Sequence, residues 1–408
     1  MGKYIIMDIV FYGNSLNYDQ GTGNYQELKK ITKWDGRQYT LVSRYALRYS
    51  LLETARKMGL WDIADGSKLY EAEGGGEQKV IQPAPEILLS GEILKYPEFD
   101  LFGYLITQPR GINQPQNFRV APVKISHAVS LTPFSYDTLF NANVGLGRRM
   151  MRITGKLSQN IFTAEEHETY YQYTVVVDVD RIGKLEVYVN EGEDIQLRSQ
   201  KTKIKKIEDE PDQKVRIEVD DGESIVQFGD EQTKLKGEVS LVNEKLRIIR
   251  YSLKKLQNGD PIKKRVEDLI RVILNLKRSI KGREEDLSPK LMVVGIYKNN
   301  PYKTYKDKIS LVDEYCEEEY DEVIEEPLEN GRKIKIKHVV SKSKKPVFEV
   351  KVNGAEREEL SEDKVIKFIN EIFDEKNNIP SKVKIFYDPS IECRIKKKMK
   401  EGIISQSE

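Results

Sequence analysis

Two segments of the chain combine arginine with aromatic or long apolar side chains, which is the chemistry that single-stranded nucleic acid requires. Cationic side chains bind backbone phosphates, and flat or long apolar side chains offer surfaces on which bases stack. The first segment contains Asn14, Asn17, Tyr18, Arg37, Arg44 and Arg48. The second contains Arg148, Arg149, Met150 and Arg152, flanked by Phe134, Tyr136, Phe140 and Met151. Because phosphate contacts position a strand without reading it, this mixture predicts binding that is independent of base sequence.

Each of these residues has a structural alternative. Arg44 and Arg48 lie one helical turn apart with no acidic residue four positions away, so they either face solvent or are available to an anion. The aromatic residues are equally consistent with a hydrophobic core, and for Phe134 and Phe140 we expect core packing. The sequence does not decide whether the arginines face solvent or bind an anion.

The sequence predicts no catalytic centre, metal site or cofactor. His127, His167 and His338 are too widely spaced for a ligand motif. GTGNY (21–25) and the glycines at 74–76 lack the other residues of nucleotide-binding loops. Asp8, Asp19 and Asp35 near the basic segment leave a magnesium site for RNA cleavage open, since carboxylates suit that ion. We nevertheless expect the protein not to be an enzyme.

The net charge over 408 residues is only +1, but the charged residues are unevenly distributed along the chain. Residues 101–164 contain one acidic residue, Asp137, against seven basic ones.

The 38% of hydrophobic residues allows one large core or two smaller ones. No apolar run is long enough to span a bilayer, and Cys316 and Cys393 are too far apart in the sequence for a metal motif. We therefore expect a cytoplasmic protein with no membrane partner, disulfide or zinc.

The hydrophobic pattern predicts an α+β fold. A strand over residues 3–12 precedes a helix over 40–58, which begins at Thr40 as N-cap, stops at Gly59 and has an apolar face of Val42, Tyr45, Ala46, Tyr49 and Leu52. An extended hairpin is predicted within 127–183. A helix is predicted over 261–280, before a further strand, with Pro261 near its first turn and an apolar face of Val266, Leu269, Ile270, Ile273 and Leu276. The order strand, helix, strand, strand, helix, strand is that of a ferredoxin-like sheet, the layout of the RNA-recognition module.

Five segments, taken together and in order, resemble the CRISPR-associated autoregulator (DevR) family, whose members form the backbone (Cas seven-class) subunit of type I-B Cascade complexes. These segments are GNSLN (13–17), DGRQYTLVSRYALRYSLL (35–52), HAVSLTPF (127–134), EHETYYQYTVVVDVDRIG (166–183) and NPYKTYKDKISL (300–311). The resemblance covers residues 1–183 and about 261–312.

The resemblance implies a modified RNA-recognition-motif (ferredoxin-like) palm with finger and thumb insertions. The palm would comprise 1–60, 127–183 and 261–312, with a thumb hairpin at about 134–166. A finger-like insertion would occupy 61–126, a charged β-rich insertion 184–260 and a charged C-terminal region 313–408.

The resemblance also implies partners and site residues. Several copies would stack head to tail along one guide crRNA beside other Cascade subunits, and target DNA would pair with the guide. The helix would hold guide phosphates, and the thumb would press between guide nucleotides. The residues predicted to contact RNA are Asn14, Asn17, Tyr18, Arg37, Arg44, Arg48, His127, Arg148, Arg149, Met150 and Arg152.

Two other functions remain open from the sequence. One is a metal-dependent ribonuclease, because related type III subunits cut target RNA with an aspartate, although no aspartate here can be placed at an equivalent position. The other is a free-standing regulator that binds nucleic acid as a small oligomer. The number of copies bound per RNA distinguishes the regulator from the filament.

Overall fold

The computed structural model describes most of the chain in segments separated by gaps. These segments are 2–73, 79–84, 87–88, 91–107, 117–157, 161–190, 194–197, 200–203, 218–219, 222–223, 235–241, 246–253, 259–301, 303–312, 317–327, 333–343, 345–374 and 381–395. The helices used below are α1 (Arg44–Lys57), α2 (Pro97–Phe102), α3 (Val144–Thr154), α4 (Pro261–Leu274) and α5 (Glu362–Asn370). Within these segments, no helix combines the length and the hydropathy that a membrane crossing needs.

The centre of the fold is a main sheet that contains nine of the described strands. Strands are numbered along the chain, and those of this sheet are β1 (Tyr4–Asn14), β3 (Lys30–Thr32), β4 (Gln38–Val42), β9 (Val123–Ile125), β10 (Ala128–Ser130), β13 (Glu168–Asp178), β23 (Pro289–Tyr297), β28 (Glu356–Glu359) and β29 (Lys382–Tyr387). Their spatial order is β28, β29, β23, β1, β13, β10, β4, β3, with β9 also pairing with β13. The fold is therefore α+β, as predicted.

β1 lies at the middle of this sheet. It pairs antiparallel with β13 over its whole length, from Tyr4 opposite Asp178 to Asn14 opposite Glu168, and with β23 on its other side. Its sequence is apolar almost throughout, which is typical of a strand covered on both faces. Both faces are covered here, by different parts of the chain.

One face of the sheet packs against α1 and α4. Alternate residues of β1 and β13, among them Phe11 and Tyr171, whose rings stack with centroids 5.6 Å apart, point into this layer. The two helices contribute Leu47, Leu51, Ala55, Val266, Leu269, Ile270 and Ile273, all buried. The apolar face predicted for α4 is confirmed, and Pro261 occupies its first turn behind the N-cap Asp260. The helix ends at Leu274 rather than at 280, because 277–280 pair as a strand in a hairpin.

The predicted start of the first helix was wrong. Thr40 lies in β4, which pairs with β3 and β10, so the chain is extended there. Ser43 is the N-cap instead: its Oγ accepts a hydrogen bond from the backbone N–H of Ala46 at 3.1 Å. The predicted apolar face was also wrong, because Tyr45 and Tyr49 are 66% and 62% exposed. The adjacent stripe at positions 47, 51 and 55 fits the helical period equally well and is the one that is buried.

The opposite face of the sheet is covered by a smaller sheet from the C-terminal part of the chain. This cover consists of β24 (Ile309–Val312), β27 (Val347–Val350) and β30 (Glu392–Ile395). Phe348 of the cover is fully buried and meets the Tyr170 ring of β13 edge to face at 5.1 Å. Ile6 and Val10 of β1 belong to the same buried cluster. The central strands therefore expose neither face to solvent.

A buried carboxylate connects α2 to α4 and to the chain that follows β13. Asp100 of α2 is 1% exposed and accepts a hydrogen bond from Arg119 at 2.5 Å. Arg265 of α4 donates to the other carboxylate oxygen of Asp100, and the backbone N–H of Gly183 donates at 3.0 Å. Two cations and a backbone donor satisfy this carboxylate, so its burial costs far less than that of an unpaired charge.

The other strands form small sheets and hairpins. They are β5 (Leu69–Glu73) with β6 (Lys79–Pro83); β7 (Tyr104–Ile106) with β8 (Asn117–Arg119); β11 (Thr138–Ala142) with β12 (Ile161–Glu165) and β2 (Tyr25–Gln26); β14 (Lys184–Asn190) with β20 (Leu246–Leu253) and β19 (Leu235–Leu241); β15 (Asp194–Leu197) with β16 (Gln200–Lys203); β17 (Glu218–Val219) with β18 (Gly222–Glu223); β21 (Lys277–Ile280) with β22 (Arg283–Asp286); and β25 (Glu317–Pro327) with β26 (Lys333–Ser343).

Candidate nucleic-acid interface

The N-terminus of α1 is held in place by two of the residues predicted to contact RNA. Asn17 Oδ1 accepts a hydrogen bond from the backbone N–H of Ser43 at 2.9 Å, and His127 Nδ1 accepts one from the backbone N–H of Arg44 at 3.0 Å. A helix N-terminus carries a partial positive charge, and its first N–H groups need acceptors outside the helix backbone. Asn17 and His127 therefore position this helix end, whatever else they contact.

Arg44 and Arg48 occupy different environments. Arg44 is exposed, and its guanidinium lies 4.8 Å from the centroid of the Tyr45 ring and donates to the Tyr45 hydroxyl at 2.8 Å. This hydrogen bond lowers the pKa of Tyr45. The Arg48 guanidinium lies over the Phe102 ring at 5.3 Å and donates to the Glu98 carbonyl oxygen at 3.3 Å. Arg44 is free to meet a phosphate, whereas Arg48 is already engaged inside the protein.

Tyr45 and Tyr49, which were predicted to lie on the apolar face of the helix, form an exposed aromatic surface beside these arginines. The two rings are four residues apart on α1, on the same side of the helix. Both are more than 60% exposed. The spacing of these two tyrosines beside the arginines is visible in the sequence and could have indicated this surface. Their rings offer flat faces for base stacking.

Asn14, Tyr18 and Arg37 are held by neighbouring side chains. The Tyr18 hydroxyl donates to the Glu165 carbonyl oxygen and to Glu166 Oε1, both at 3.2 Å, and burial raises the pKa of Tyr18 to about 12. Asn14 Oδ1 accepts from the Ser15 hydroxyl at 2.6 Å. Arg37 is exposed but pairs with Asp35 at 2.8 Å. These contacts shape the loop after β1, and direct contact of the three residues with RNA stays a prediction.

The segment predicted as a hairpin consists of β11 and β12, with α3 between them. The strands pair from Thr138 opposite Glu165 to Ala142 opposite Ile161. Asn143 caps α3 by accepting from the backbone N–H of Leu146 at 3.2 Å. The hairpin prediction did not include this helix. We call residues 134–166 the thumb.

Most of the described thumb side chains are exposed, whereas Ala164 and Glu165 near its end are buried. In α3 only Gly147 is buried, and Arg148, Arg149 and Arg152 form no ion pair with a described residue. Apolar side chains share this exposure: Tyr136, Leu139, Phe140, Val144, Leu146, Met150, Met151, Ile153, Leu157, Ile161 and Phe162. The core position expected for Phe140 was wrong, since its side chain is 68% exposed; a single hairpin has no second layer to bury it. Phe134 is half-buried and meets the His167 ring at 5.6 Å.

The base of the thumb joins the loop after β1 and the edge of the main sheet. Glu166 accepts a hydrogen bond from the Ser15 hydroxyl at 2.5 Å, and His167 Nδ1 lies 2.7 Å from the Thr40 hydroxyl. Burial lowers the pKa of His167. The structure thus brings together 14–18, the start of α1 and the thumb base. No hydrogen bond or ion pair between described residues connects the arginines of α3 to Arg37, Arg44 or Arg48.

The three aspartates considered for magnesium have separate partners. Asp8 is buried in the main sheet and accepts from Thr174 and from the backbone N–H of Tyr305, both at 2.5 Å. Asp19 pairs with Lys29 at 3.1 Å, and Asp35 pairs with Arg37. Within the described part of the chain, no three His, Cys, Asp or Glu side chains are grouped as metal ligands.

Comparison with known families identifies the chain. Residues 5–320 match the family described as CRISPR-associated negative auto-regulator DevR/Csa2. The chain belongs to this family. The predicted family is therefore confirmed, and the match extends through residues 184–260, where the sequence offered no motif.

Comparison with solved structures finds partial similarity to chains of CRISPR complexes. A chain of a "CRISPR RNA-guided surveillance complex, pre-nicking" is 10% identical with a TM-score of 0.35, covering 72% of this chain and 78% of that one. A chain of a "CRISPR RNA-guided surveillance complex" is 12% identical with a TM-score of 0.35, covering 75% and 73%. A chain of a "Type IV-B CRISPR Complex" is 14% identical with a TM-score of 0.25, covering 43% and 73%. No curated protein matches the sequence.

Proposed function

We propose that this chain is the backbone subunit of a type I-B CRISPR Cascade complex. In this proposal several copies bind one guide crRNA through its phosphates, without reading its bases. The observation that carries the proposal is the thumb, where Arg148, Arg149 and Arg152 lie exposed on one helix among exposed apolar side chains. A folded protein rarely leaves so many apolar side chains in water unless they bind something. Membership of the DevR/Csa2 family supplies the CRISPR context.

The palm is proposed to be a modified RNA-recognition motif. Four core strands follow one another in the chain as β1, β10, β13 and β23, and their order across the sheet is β23, β1, β13, β10. Helices α1 and α4 pack on the same face of this sheet. Both features support the proposal. An ordinary RNA-recognition module stacks bases on the other face of its sheet. The cover formed by β24, β27 and β30 occupies that face here. RNA is therefore proposed to bind at the thumb and at the start of α1 instead.

Binding at these places is proposed to be independent of sequence. The N-terminus of α1 and the exposed Arg44 suit a phosphate, because the helix dipole and the guanidinium both favour an anion. Tyr45, Tyr49 and Met150 suit the faces of bases, which every base possesses. Base pairing with target DNA would then supply the specificity that the protein contacts lack.

The remaining parts of the proposal concern partners and chemistry. Copies are proposed to contact each other head to tail, an arrangement that does not close and therefore extends to the end of the RNA. Other Cascade subunits would cap this array in the cytoplasm. The protein is proposed to have no catalytic activity and no cofactor, so its role is to hold guide geometry.

The decisive experiment measures how the number of bound copies depends on RNA length. Nuclease-treated protein is mixed with single-stranded RNAs of increasing length and unrelated sequences, and the mass of each complex is determined by light scattering. We expect the copy number to rise in even steps with length and to be the same for different sequences. The matched control is the protein with Arg148, Arg149 and Arg152 replaced by alanine, which should bind fewer copies at equal concentration.

Two outcomes would overturn the proposal in different ways. A fixed small oligomer at every RNA length would indicate a free-standing regulator. Cleavage of the RNA that requires added Mg²⁺ and is lost in Asp19→Asn or Asp35→Asn would indicate a ribonuclease.

A further inference from the structure

The hairpin formed by β21 and β22 lies against α1. Its two-residue turn, Lys281 and Gly282, has φ values of +47° and +78°, and positive values at both positions are typical of tight hairpin turns. In β21, the backbone N–H of Lys277 donates to Thr54 Oγ1 of α1 at 3.2 Å, and the Lys277 carbonyl oxygen accepts from the same hydroxyl at 3.3 Å. These contacts fix the hairpin to the helix that carries Arg44.

Arg278 of β21 joins this helix to the loop after β1, residues 14–18. Its Nε donates to the Leu16 carbonyl oxygen in the middle of the loop at 2.7 Å. Its Nη1 donates to the Ala46 carbonyl oxygen at 3.3 Å and to Ser50 Oγ at 3.1 Å, both on α1. Because the donors of a planar guanidinium point in fixed directions, this one side chain sets the position of the loop relative to the helix.

The contacts of Arg278 are with neutral oxygens. It forms no ion pair with a residue that the structure describes, and burial lowers its pKa. Removing a guanidinium from water costs free energy, and hydrogen bonds to neutral acceptors offset only part of that cost. The direction of its donors, rather than a charge pair, is therefore what Arg278 contributes at this place.

The returning strand of the hairpin makes further contacts with the same loop. Arg283 donates to the Asn14 carbonyl oxygen at 3.4 Å and lies 3.6 Å from Glu166 at the thumb base. The Lys281 ammonium in the turn is 3.2 Å from the centroid of the Tyr18 ring. The hairpin thus contacts both ends of the loop as well as its middle.

The loop itself carries no charge, since residues 14–18 are Asn, Ser, Leu, Asn and Tyr. It meets the start of α1 through Asn17, which accepts from the backbone N–H of Ser43 at 2.9 Å. Whatever the loop offers to a bound strand is therefore hydrogen bonding and stacking, and these contacts depend on position and only weakly on salt.

We propose that Arg278 is a positioning residue for the binding of single-stranded nucleic acid. It holds the loop after β1 against α1 in the free protein and does not touch the bound strand. This inference rests on the proposed function and gives the β21–β22 hairpin a part in it. A loop that is already ordered costs less free energy to bind, so its order raises affinity.

The test compares the full chain with Arg278→Met, which keeps an unbranched side chain and removes every donor. Circular dichroism first confirms that both proteins are folded. Without RNA, amide hydrogen exchange within the loop after β1 should be faster in the variant, because the connection to α1 is lost. RNA affinity should fall about fivefold, since binding must now order the loop. The slope of log K against log salt should not change, because no phosphate contact is removed.

Two further variants separate position from charge and from general stability. Arg278→Lys keeps the charge, but one ammonium cannot donate in the directions of both Nε and Nη1, so it should bind RNA about as weakly as Arg278→Met. It also provides the test if Arg278→Met does not fold. Arg357 is the matched control: it donates to the Cys393 carbonyl oxygen at 2.7 Å from β28, at the far end of the main sheet from β3 and β4. Arg357→Met should leave RNA affinity unchanged.

The outcomes separate this inference from the function on which it rests. A salt slope lower by about 0.7 in Arg278→Met, or full binding by Arg278→Lys, would show that Arg278 acts on a phosphate through its charge and would overturn the positioning role. RNA affinity equal to that of wild type in Arg278→Met, or an equal loss in Arg357→Met, would also overturn it while the proposed function stands. Absence of RNA binding by the wild-type protein would reject both proposals.

Discussion

Lys30 Nζ lies 2.6 Å from Glu165 Oε1, and the two side chains are only 16% and 4% exposed. Lys30 belongs to an edge strand of the main sheet, and Glu165 ends the strand that returns from the thumb. Glu165 also accepts from the backbone N–H of Leu28 at 2.7 Å and from the Tyr25 hydroxyl at 3.1 Å. One buried carboxylate thus connects the thumb to the sheet and to the loop between them.

Replacing this carboxylate should destabilise the fold. Glu165→Gln leaves the Lys30 ammonium in a largely buried site without its counter-charge, and breaking such a pair costs about 3 kcal/mol. The free energy of unfolding in urea, followed by circular dichroism, measures this loss. The matched control is Glu186→Gln, which breaks an exposed pair with Arg250 at 2.8 Å and should cost less than about 1 kcal/mol. Equal losses in the two variants would show that Glu165 does not anchor the thumb.

Alanine substitution of Arg44 should weaken RNA binding, whereas alanine substitution of Arg48 should lower the stability of the fold. Arg44→Ala removes an exposed guanidinium, so RNA affinity should fall and the slope of log K against log salt should decrease by about 0.7, the value for one phosphate contact on a single strand. Its effect on stability should be within about 0.5 kcal/mol. Arg48→Ala removes the contact with Phe102 and a partly buried hydrogen bond, so it should lower the free energy of unfolding by about 1 to 2 kcal/mol.

The measurements for this pair are RNA binding at several salt concentrations and urea unfolding of the same preparations. If Arg48→Ala changes the salt slope without changing stability, Arg48 reaches the phosphate and its contact with Phe102 does not hold it.

The sequence predicted those helices and strands in which the spacing of apolar residues shows which faces are buried. The apolar period of α4 and the strand that became β1 are examples, because burial on one or both faces leaves a pattern in the residues themselves. The face of α1 could not be assigned in this way. Two adjacent stripes are apolar there, and only the position of the sheet decides that Leu47 and Leu51 are buried and Tyr45 is not.

The candidate site was only partly accessible from sequence for a similar reason. The residue types of Arg44 and Arg48 are identical, and their difference comes from Phe102 and Glu98, which lie some fifty residues away in the chain. The roles of Asn17 and His127 at the start of α1 also depend on tertiary contacts that no local pattern encodes.

The three arginines of α3 should affect binding but not folding. Replacing Arg148, Arg149 and Arg152 together with alanine should lower the salt slope of RNA binding by about 2, since each lost phosphate contact contributes about 0.7. Stability should stay within about 0.5 kcal/mol of wild type, because the three side chains are exposed and have no described ionic partner.

A matched triple variant tests whether the effect belongs to the thumb. Arg56, Arg250 and Arg394 are 58%, 47% and 53% exposed and lie outside the thumb. Their replacement by alanine changes the net charge equally. If both triple variants weaken RNA binding to the same extent, the thumb arginines contribute only general positive charge.

Stability should depend on pH through Asp8 in an unusual direction. Burial of this carboxyl beneath the C-terminal cover raises its pKa from 3.8 to about 6. Between these values the folded protein holds a proton that the unfolded chain has released, so this group makes folding less favourable as pH rises from about 4 to about 6. The loss approaches about 3 kcal/mol above pH 7, at 1.36 kcal/mol for each pKa unit. Carboxylates whose pKa is lowered in the folded protein, such as Asp19 through its hydrogen bond with Lys29, contribute in the opposite sense. The total pH profile therefore does not isolate Asp8.

Asp8→Asn isolates this contribution. Asparagine cannot titrate, so the wild-type protein should lose stability relative to the variant between pH 4 and pH 7, whatever the other groups do. The variant loses an acceptor for the backbone N–H of Tyr305 or the Thr174 hydroxyl, which shifts the difference by a constant and leaves its slope unchanged. Urea unfolding of both proteins at half-unit pH intervals measures the difference. A difference that stays flat across this range would mean that Asp8 is ionised in the folded protein at pH 4, and that water or a cation reaches it beneath the cover.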